Sequence, residues 1–424
     1  MNENQNDDLT TRLSRSLTGH ADVMTGSSLG LDQVQGKARS IRRRRTATAV
    51  VAVAAAVAVI VPTAALAGHT GGKPEPAPAT QTTRTPSPTT TATATDAAEP
   101  ARGVLDVSDL PTGAAPRSDY VYRGRLYSAD GGAGDVRSRY TPSSFVEMED
   151  GSRVWLTTHD GSPYVEIQNS DGGFVDPVPS GSYDLSVNPT HSIAAWISPT
   201  GQLSVYQGRA SAPHTLGDPV PGTEWRLGPI TGDDCALACG VYVNGSDQQG
   251  NRQPFEVTES GTQEYLDGSY LFVNDSSEAG LTVGFTDIDD FKTCSTLLGG
   301  GEFQGFHTCR HQLLSFSPDG RLIWGTQTYF DGPGTTSITM FDLQGKPLFE
   351  RRADPEHQAH FPVPGPAWED ASHLLVPMFQ DGSWSVVRVA SDGTMEYAVA
   401  PHEGPMEASP YILPTGGDLA SLSG

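Results

Sequence analysis

From Val104 to the end of the chain, apolar residues fall in short runs separated by turn-forming residues. The clearest case is LLSFSPDGRLIWG, residues 313–325, where one apolar strand runs into Ser-Pro-Asp-Gly-Arg and a second follows at once. Similar junctions occur at Asp150 (VEMEDGSRVWL), Pro189 (LSVNPTHSIAAWI), Asp233 (ITGDDCALACGVYV), Asp275 (FVNDSSEAGLTVGF), Pro318 and Asp370 (AWEDASHLLVPMF). The steps between them are 39, 44, 42, 43 and 52 residues. A second turn follows most junctions after 10 to 13 residues, at Asp160-Gly161, Thr200-Gly201, Asn244-Gly245, Asp331-Gly332 and Asp381-Gly382. A third is visible at Asp171-Gly172, Gln344-Gly345 and Asp392-Gly393. Asp-Gly and Asn-Gly between apolar runs are hairpin signals, because type I′ turns require positive φ at both central residues.

Three turns per copy make four strands per copy, and a period near 43 residues matches one blade of a β-propeller. The expected fold is therefore all-β, with six complete blades legible. Two end segments, SDYVYRGRLYSADGG (118–132) and ASPYILPTG (408–416), read as halves of a seventh blade that closes the ring. Closure would remove the open sheet edges that invite aggregation. Six blades with loose ends is the alternative.

The Ser317-Pro318-Asp319-Gly320-Arg321 phrase and the blade period resemble the WD40-like and TolB-like bacterial propellers. Residues 104–424 carry the likeness. No Trp is followed by Asp and no Gly-His pair opens a blade, so the chain departs from true WD40 repeats. The resemblance implies a ring-shaped binding or scaffolding surface and brings no catalytic residues with it.

Ahead of the repeats the pattern changes. Residues 46–67, TATAVVAVAAAVAVIVPTAALA, are uncharged and follow Arg42, Arg43, Arg44 and Arg45. As a helix this segment would rise about 33 Å, enough to cross a bilayer. The flanking arginines would keep residues 1–45 cytoplasmic as a tail and place the rest outside. Ala65-Leu66-Ala67 also fits a signal-peptide cleavage site. The long leading segment and long apolar run favour the uncleaved anchor. Residues 68–103, dense in Thr, Pro and Ala, cannot bury a core and read as a disordered stalk.

Charge narrows the partners. The chain carries a net −23, and residues 104–424 hold 42 acidic against 16 basic side chains. Such a surface repels phosphate backbones, so no nucleic-acid partner is expected. A protein or a cell-envelope polymer is the expected partner at the propeller face, with the membrane engaged through the anchor.

The four cysteines, Cys235, Cys239, Cys294 and Cys309, all lie in the outer domain, where an oxidising compartment favours disulfides. A hairpin around Gly299-Gly300-Gly301 would set Cys294 opposite Cys309, leaving Cys235 to pair with Cys239. The second pair needs a bend, since four residues of straight strand span roughly 13 Å and a disulfide needs Cα atoms within about 7 Å.

Few patterns point to chemistry. His307, Cys309 and His311 alternate, so a straight strand would present all three on one face as a zinc-type cluster. A disulfide-bonded Cys309 beside two surface histidines is the simpler reading. His357 and His360 form a weak ligand pair in a Pro-rich loop, and Asp287-Ile288-Asp289-Asp290 lacks the spacing of a calcium loop. Gly26-Ser27-Ser28-Leu29-Gly30 matches a nucleophile motif as text, without the strand that motif needs. Trp155, Trp196 and Trp324 recur in second strands, where packing between blades is favoured over a sugar-binding row. Leu9, Leu13 and Leu17 mark a short amphipathic stretch in the tail.

No catalytic, cofactor-binding or metal motif stands out, and no cofactor is expected. The first expectation is a membrane-anchored binding or scaffolding module whose ligand meets long inserted segments such as 287–311 and 351–366. An extracytoplasmic propeller enzyme, a hydrolase or lyase acting on sugars, is the second. A sensor coupling the outer domain to the tail is the third.

Overall fold

In the computed structural model the Ser317–Arg321 phrase is a tight five-residue turn. Ser317 N–H donates to Leu322 O at 2.9 Å, Gly320 N–H to Ser317 O at 2.7 Å, and Leu322 N–H to Ser317 Oγ at 3.0 Å. Asp319 Oδ1 accepts from Ser317 Oγ and Arg321 N. Gly320 has φ +68°, and a Cβ there would sit 3.1 Å from Ser277 Cβ of the preceding blade. Conformation and crowding thus both select glycine at that position. Ser277 and Asn188 occupy the place of Ser317 in two earlier turns, their side-chain oxygens accepting from Leu281 N and Ile193 N. The junctions echo one another because the same local bonding is met by different polar residues.

The structure describes residues 102–414, apart from 209, 211, 247–251, 265–269, 290–291, 300–304, 330–333, 355, 357 and 364. The tail, the expected anchor and nearly all of the stalk lie outside them, as do the Asp331-Gly332 turn, Asp290, His357 and the Gly26–Gly30 motif. Among the described residues no helix is long and apolar enough to cross a membrane.

The strands form seven sheets. The chain enters with β1 (Arg102–Val104), then β2 (Tyr120–Tyr122), β3 (Arg125–Tyr127) and β4 (Ala133–Asp135). Blade 1 is β5 (Thr141–Glu147), β6 (Arg153–His159), β7 (Ser162–Gln168) and β8 (Val178–Pro179). Blade 2 is β9 (Ser186–Val187), β10 (Ile193–Ile197), β11 (Leu203–Gln207) and β12 (His214–Leu216). Blade 3 is β13 (Thr223–Asp234), β14 (Ala238–Ser246), β15 (Arg252–Thr258) and β16 (Gly261–Glu264). Blade 4 is β17 (Phe272–Ser276), β18 (Thr282–Asp289), β19 (Lys292–Leu298) and β20 (His307–Thr308). Blade 5 is β21 (His311–Phe316), β22 (Leu322–Gln327), β23 (Ser337–Asp342) and β24 (Pro347–Arg352). Blade 6 is β25 (Ala367–Trp368), β26 (His373–Gln380), β27 (Ser383–Ala390) and β28 (Met395–Glu403), and the last strand is β29 (Tyr411–Ile412).

The seventh sheet runs β29-β2-β3-β4, so the last strand supplies the inner position and the entering chain supplies the other three. Val121 pairs with Ile412 and Tyr122 with Tyr411. The two end segments therefore form one closing blade, and the six-blade alternative falls. Its β2–β3 turn, Arg123-Gly124, has φ of 49° and 77°, matching Asp160-Gly161 (48° and 75°) and Asp381-Gly382 (50° and 78°). These are the paired positive values that a type I′ hairpin requires.

Trp155, Trp196 and Trp324 lie in β6, β10 and β22, each at most 1 % exposed. They pack in apolar clusters that reach across neighbouring blades, Trp155 with Phe145 and Val121 of the closing blade. A sugar-binding row is excluded by that burial. Buried polar side chains also tie blade to blade. Ser186 Oγ donates to Gly228 O at 2.8 Å and Asn274 Nδ2 to Leu313 O at 2.6 Å.

Asn244 corrects the sequence reading. Asn244-Gly245 lies inside β14 rather than in a turn, and the carboxamide accepts from Val273 N at 2.7 Å and donates to Val273 O at 2.9 Å. A buried Asn serving the next blade's main chain has the same letters as a hairpin turn, which is why spacing alone misplaced it.

One element has no counterpart in the repeat. β1 adds to blade 5 as a fifth strand, parallel to β24, with Arg102 opposite Glu350 and Val104 opposite Arg352. It begins two residues ahead of the boundary drawn at Val104. The following strap crosses to blade 6, burying Leu105 and Val107 in the cluster that holds Met340, Val376 and Met378. Arg388 of β27 fixes its far end. The guanidinium donates to Ala114 O and Ala115 O at 3.0 and 3.1 Å, and to the carboxylates of Glu369 and Glu396. All five of its N–H donors are thereby used. Its side chain is 7 % exposed and that of Glu369 is 0 % exposed.

Arg388→Ala leaves the Glu369 carboxylate enclosed without its cation, and the expected loss is about 3–5 kcal/mol of stability. Urea unfolding of the purified chain measures it, and a loss below about 1 kcal/mol would show that the latch is not structural. Val121→Asp, at the closing seam, should cost at least about 3 kcal/mol, whereas Leu348→Asp on the surface should stay within about 0.5 kcal/mol. Equal effects from the two would refute the seam as a stability determinant.

Candidate functional site

In a four-stranded meander the first and third turns of every blade emerge at one end of the ring. The first turns stand nearest the axis, because the first strand is the innermost. Seven inner strands therefore deliver their last residues to one mouth. A cavity of about 360 Å³ lies there, lined from every blade: Ser118 and Pro414 of the closing blade, then Glu147, Asn188, Ile230, Asp275, Ser317 and Glu369.

The mouth is acidic. Glu147, Glu149, Asp275, Glu278 and Glu369 line it, and no Lys or Arg is among the described lining residues. Asp275 sits at the end of β17, ringed by protein atoms with one edge on the cavity. Its Oδ1 accepts from Ser276 N and its Oδ2 from Phe316 N of the next blade, both at 2.8 Å. Burial pushes its carboxyl up to about 7, against those two hydrogen bonds, which favour the ionised form. Glu147 is raised from the ordinary value by burial and then by nearby Asp119, with Arg153 opposing. His191, held at φ 58°, donates from Nδ1 to Glu147 O at 2.6 Å. Asn188 Nδ2 and Thr190 Oγ1 donate to Asp233 Oδ1, bracing the neighbouring turn. Arg388 takes up the Glu369 carboxylate, so the exposed Glu149 and Glu278 present the mouth's negative charge to solvent.

The inserted segment 351–366 stands elsewhere. Residues of 351–366 line a groove of about 630 Å³ at the opposite end, formed with second turns such as Asp381-Gly382. His360 is there, buried, its Nδ1 3.3 Å from Gln358 O and its ring packed on Phe379 at 5.1 Å. Burial lowers its pKa. Asp287 and Asp289 belong to β18 rather than to a loop, Asp287 opposite Cys294 across the hairpin.

The cysteines pair as Cys235–Cys239 and Cys294–Cys309, with Cα atoms 4.5 and 4.0 Å apart. The turn between β13 and β14 supplies the bend that the first pair requires. The second pair joins β19 to the residue after β20. The His307, Cys309 and His311 alternation does not survive, because the chain bends at Cys309 and Arg310 between two blades. His311 turns into blade 5, where Nε2 lies 3.8 Å from Glu350 Oε1. His307 stays beside the disulfide, its Nε2 3.2 Å from Cys309 Sγ. The mouth residues that the sequence did single out, Pro189, Asp275 and the Ser317–Gly320 phrase, stood there as turn signals and not as a binding or catalytic motif. The one available signal was their shared position just before or within the first turn of each blade.

No protein-family model and no curated protein matches the sequence. Solved propellers overlay on it loosely. TolB from Acinetobacter baumannii is 13 % identical, with 69 % of this chain and 65 % of that chain covered, at a TM-score of 0.38. The structure of YCF48 bound to D1 peptide is 11 % identical over 68 % and 86 %, at 0.41. The Cps50 (Swd1) propeller of Myceliophteria thermophila is 9 % identical over 64 % and 88 %, at 0.42. These overlays decide nothing about ligands. The class of the protein, a seven-bladed propeller closed by its two chain ends, rests on strand order and register.

Asp275 generates a pH signature. An aspartate titrates near 3.9 (roughly) in an unfolded chain and at about 7 in this fold. Between those values the folded state holds a proton that the unfolded state has released, so stability falls as pH rises through the window. Asp275→Asn should flatten that slope relative to the unsubstituted chain, whatever its effect on absolute stability. Parallel unfolding curves from pH 4 to 8 for both proteins would rule the titration out.

Proposed function

We propose that this chain is a membrane-anchored binding module, with its propeller held outside the cell membrane. Its ligand is a basic segment of a partner protein, docked at the acidic mouth. The observation that carries the reading is the mouth itself: one cavity, contributed by all seven blades and lined by five acidic residues, of which Glu149 and Glu278 are exposed. The two disulfides fit an oxidising compartment. The Arg42–Arg45 cluster before the uncharged 46–67 segment fits a cytoplasmic N-terminus. Surface charge of one sign around a concave mouth concentrates an oppositely charged ligand and speeds its encounter. A cationic cell-envelope polymer would exploit the same field.

A second reading is favoured by Asp275. A carboxyl near neutrality and a second raised carboxyl, Glu147, lining the same cavity are what acid–base hydrolysis of a sugar polymer would use. In that case Asp275 would serve as the general acid.

Thermal unfolding with a panel of lysine- and arginine-rich peptides, neutral peptides and envelope oligosaccharides tests both. A basic peptide at a hundredfold its dissociation constant should add about 2.7 kcal/mol to stability. Glu149→Lys with Glu278→Lys should abolish that gain while leaving the unliganded fold intact. Equal shifts with neutral peptides would remove the electrostatic basis. Release of reducing sugar that Asp275→Asn eliminates would replace the binding reading with the hydrolytic one.

A further inference from the structure

We infer that reduction of the Cys294–Cys309 disulfide converts its surroundings into a binding site for a thiophilic divalent cation such as zinc, with Cys294, Cys309 and His307 as ligands. One Sγ from each cysteine and one ring nitrogen of His307 all lie within 4.8 Å of one another. Tetrahedral zinc with two thiolates at about 2.3 Å places the sulfurs about 3.8 Å apart. Side-chain rotation alone separates the sulfurs that far, since the parent Cα atoms are 4.0 Å apart. His307 Nε2 already faces Cys309 Sγ at 3.2 Å.

The outer contacts of the imidazole have the form that metal-bound histidines show. His307 Nδ1 is 2.8 Å from Thr296 Oγ1, and these two residues are paired directly across β19 and β20. Thr296 Oγ1 in turn donates to Thr286 Oγ1 at 3.4 Å. With Nδ1 occupied as a donor, the Nε2 lone pair is the one directed at the sulfur. Cys294 is buried, Cys309 half-buried and His307 exposed, so the pocket has a protein floor and a solvent-side opening for a fourth ligand. Arg310, the adjacent cation, is offset by the two thiolate charges.

Chemically the site is gated. A disulfide sulfur carries no thiolate, so the oxidised protein offers only one imidazole. A dithiol reductant attacks Cys309 Sγ, on the less buried of the two cysteines; the S–S bond breaks and Cys294 leaves as a thiolate. The second thiol of the reductant then displaces Cys309 and closes the reductant's own disulfide, completing a two-electron exchange. Binding of the divalent cation releases the two thiol protons.

Cobalt(II) titration of the full chain, oxidised and after phosphine reduction, tests this. The reduced protein should take up one equivalent with thiolate-to-cobalt charge-transfer absorption, and the oxidised protein none. Cys235→Ser with Cys239→Ser should leave the signal, and Cys294→Ser with Cys309→Ser should abolish it. His307→Ala should weaken uptake about tenfold or more. Persistence of the signal without Cys294 and Cys309, or unchanged affinity without His307, would overturn the assignment. So would a reduced chain that keeps its far-ultraviolet spectrum and binds nothing, or one that loses that spectrum.

Discussion

The pairing of Val121 with Ile412 and Tyr122 with Tyr411 is the constraint on which the ring depends. Six blades are continuous hairpins that could each form from local sequence. The seventh exists only if both ends of the domain meet. Without it, blade 1 would expose a face carrying Phe145 and Trp155, and blade 6 would expose Trp384 and Leu375. The seam therefore decides whether those aromatic side chains face protein or water. Tyr411 stacks on Tyr122 at 5.0 Å, and Pro414 bridges to Phe145, extending the closure past its two paired residues.

Much of this was legible in the chain because hairpin turns have chemical signatures. Asp160-Gly161, Asp381-Gly382 and Gly320 stand where the backbone takes positive φ, and those letters announce it. The closing blade was readable from two leftover half-patterns. What escaped was whatever depends on a neighbour in space. Asn244-Gly245 has a turn's composition but lies in a strand, because its carboxamide bonds the next blade. The strap after β1 has no periodicity, since it follows the outer edges of blades 5 and 6 rather than building a blade. The acidic mouth was hidden for the same reason: Glu147, Asp275 and Glu369 are scattered through the sequence and converge only when the ring closes.

The mouth and the blade contacts draw on one set of residues. Asp275 joins blade 4 to blade 5 through Phe316 N while presenting an edge to the cavity, and Glu369 anchors Arg388 while lining the rim. Groups held this firmly have little freedom to rearrange around a ligand. Recognition there depends on a partner that fits a preformed field, with a small cost in ordering the protein.

The strap has a mechanical consequence. β1 lies alongside β24 in parallel register, and the rest of the chain's N-terminal hundred residues precede it. Tension reaching Arg102 along the strand axis would load the ladder bonds together, in shear, rather than opening them one at a time like a zipper. The next restraints, Leu105 N to Arg352 O and the Arg388 latch, lie further along the same path. A pull on the domain would thus be borne by blades 5 and 6 before it reached the closing seam. The closing seam is shielded from load by the segment through which load would enter.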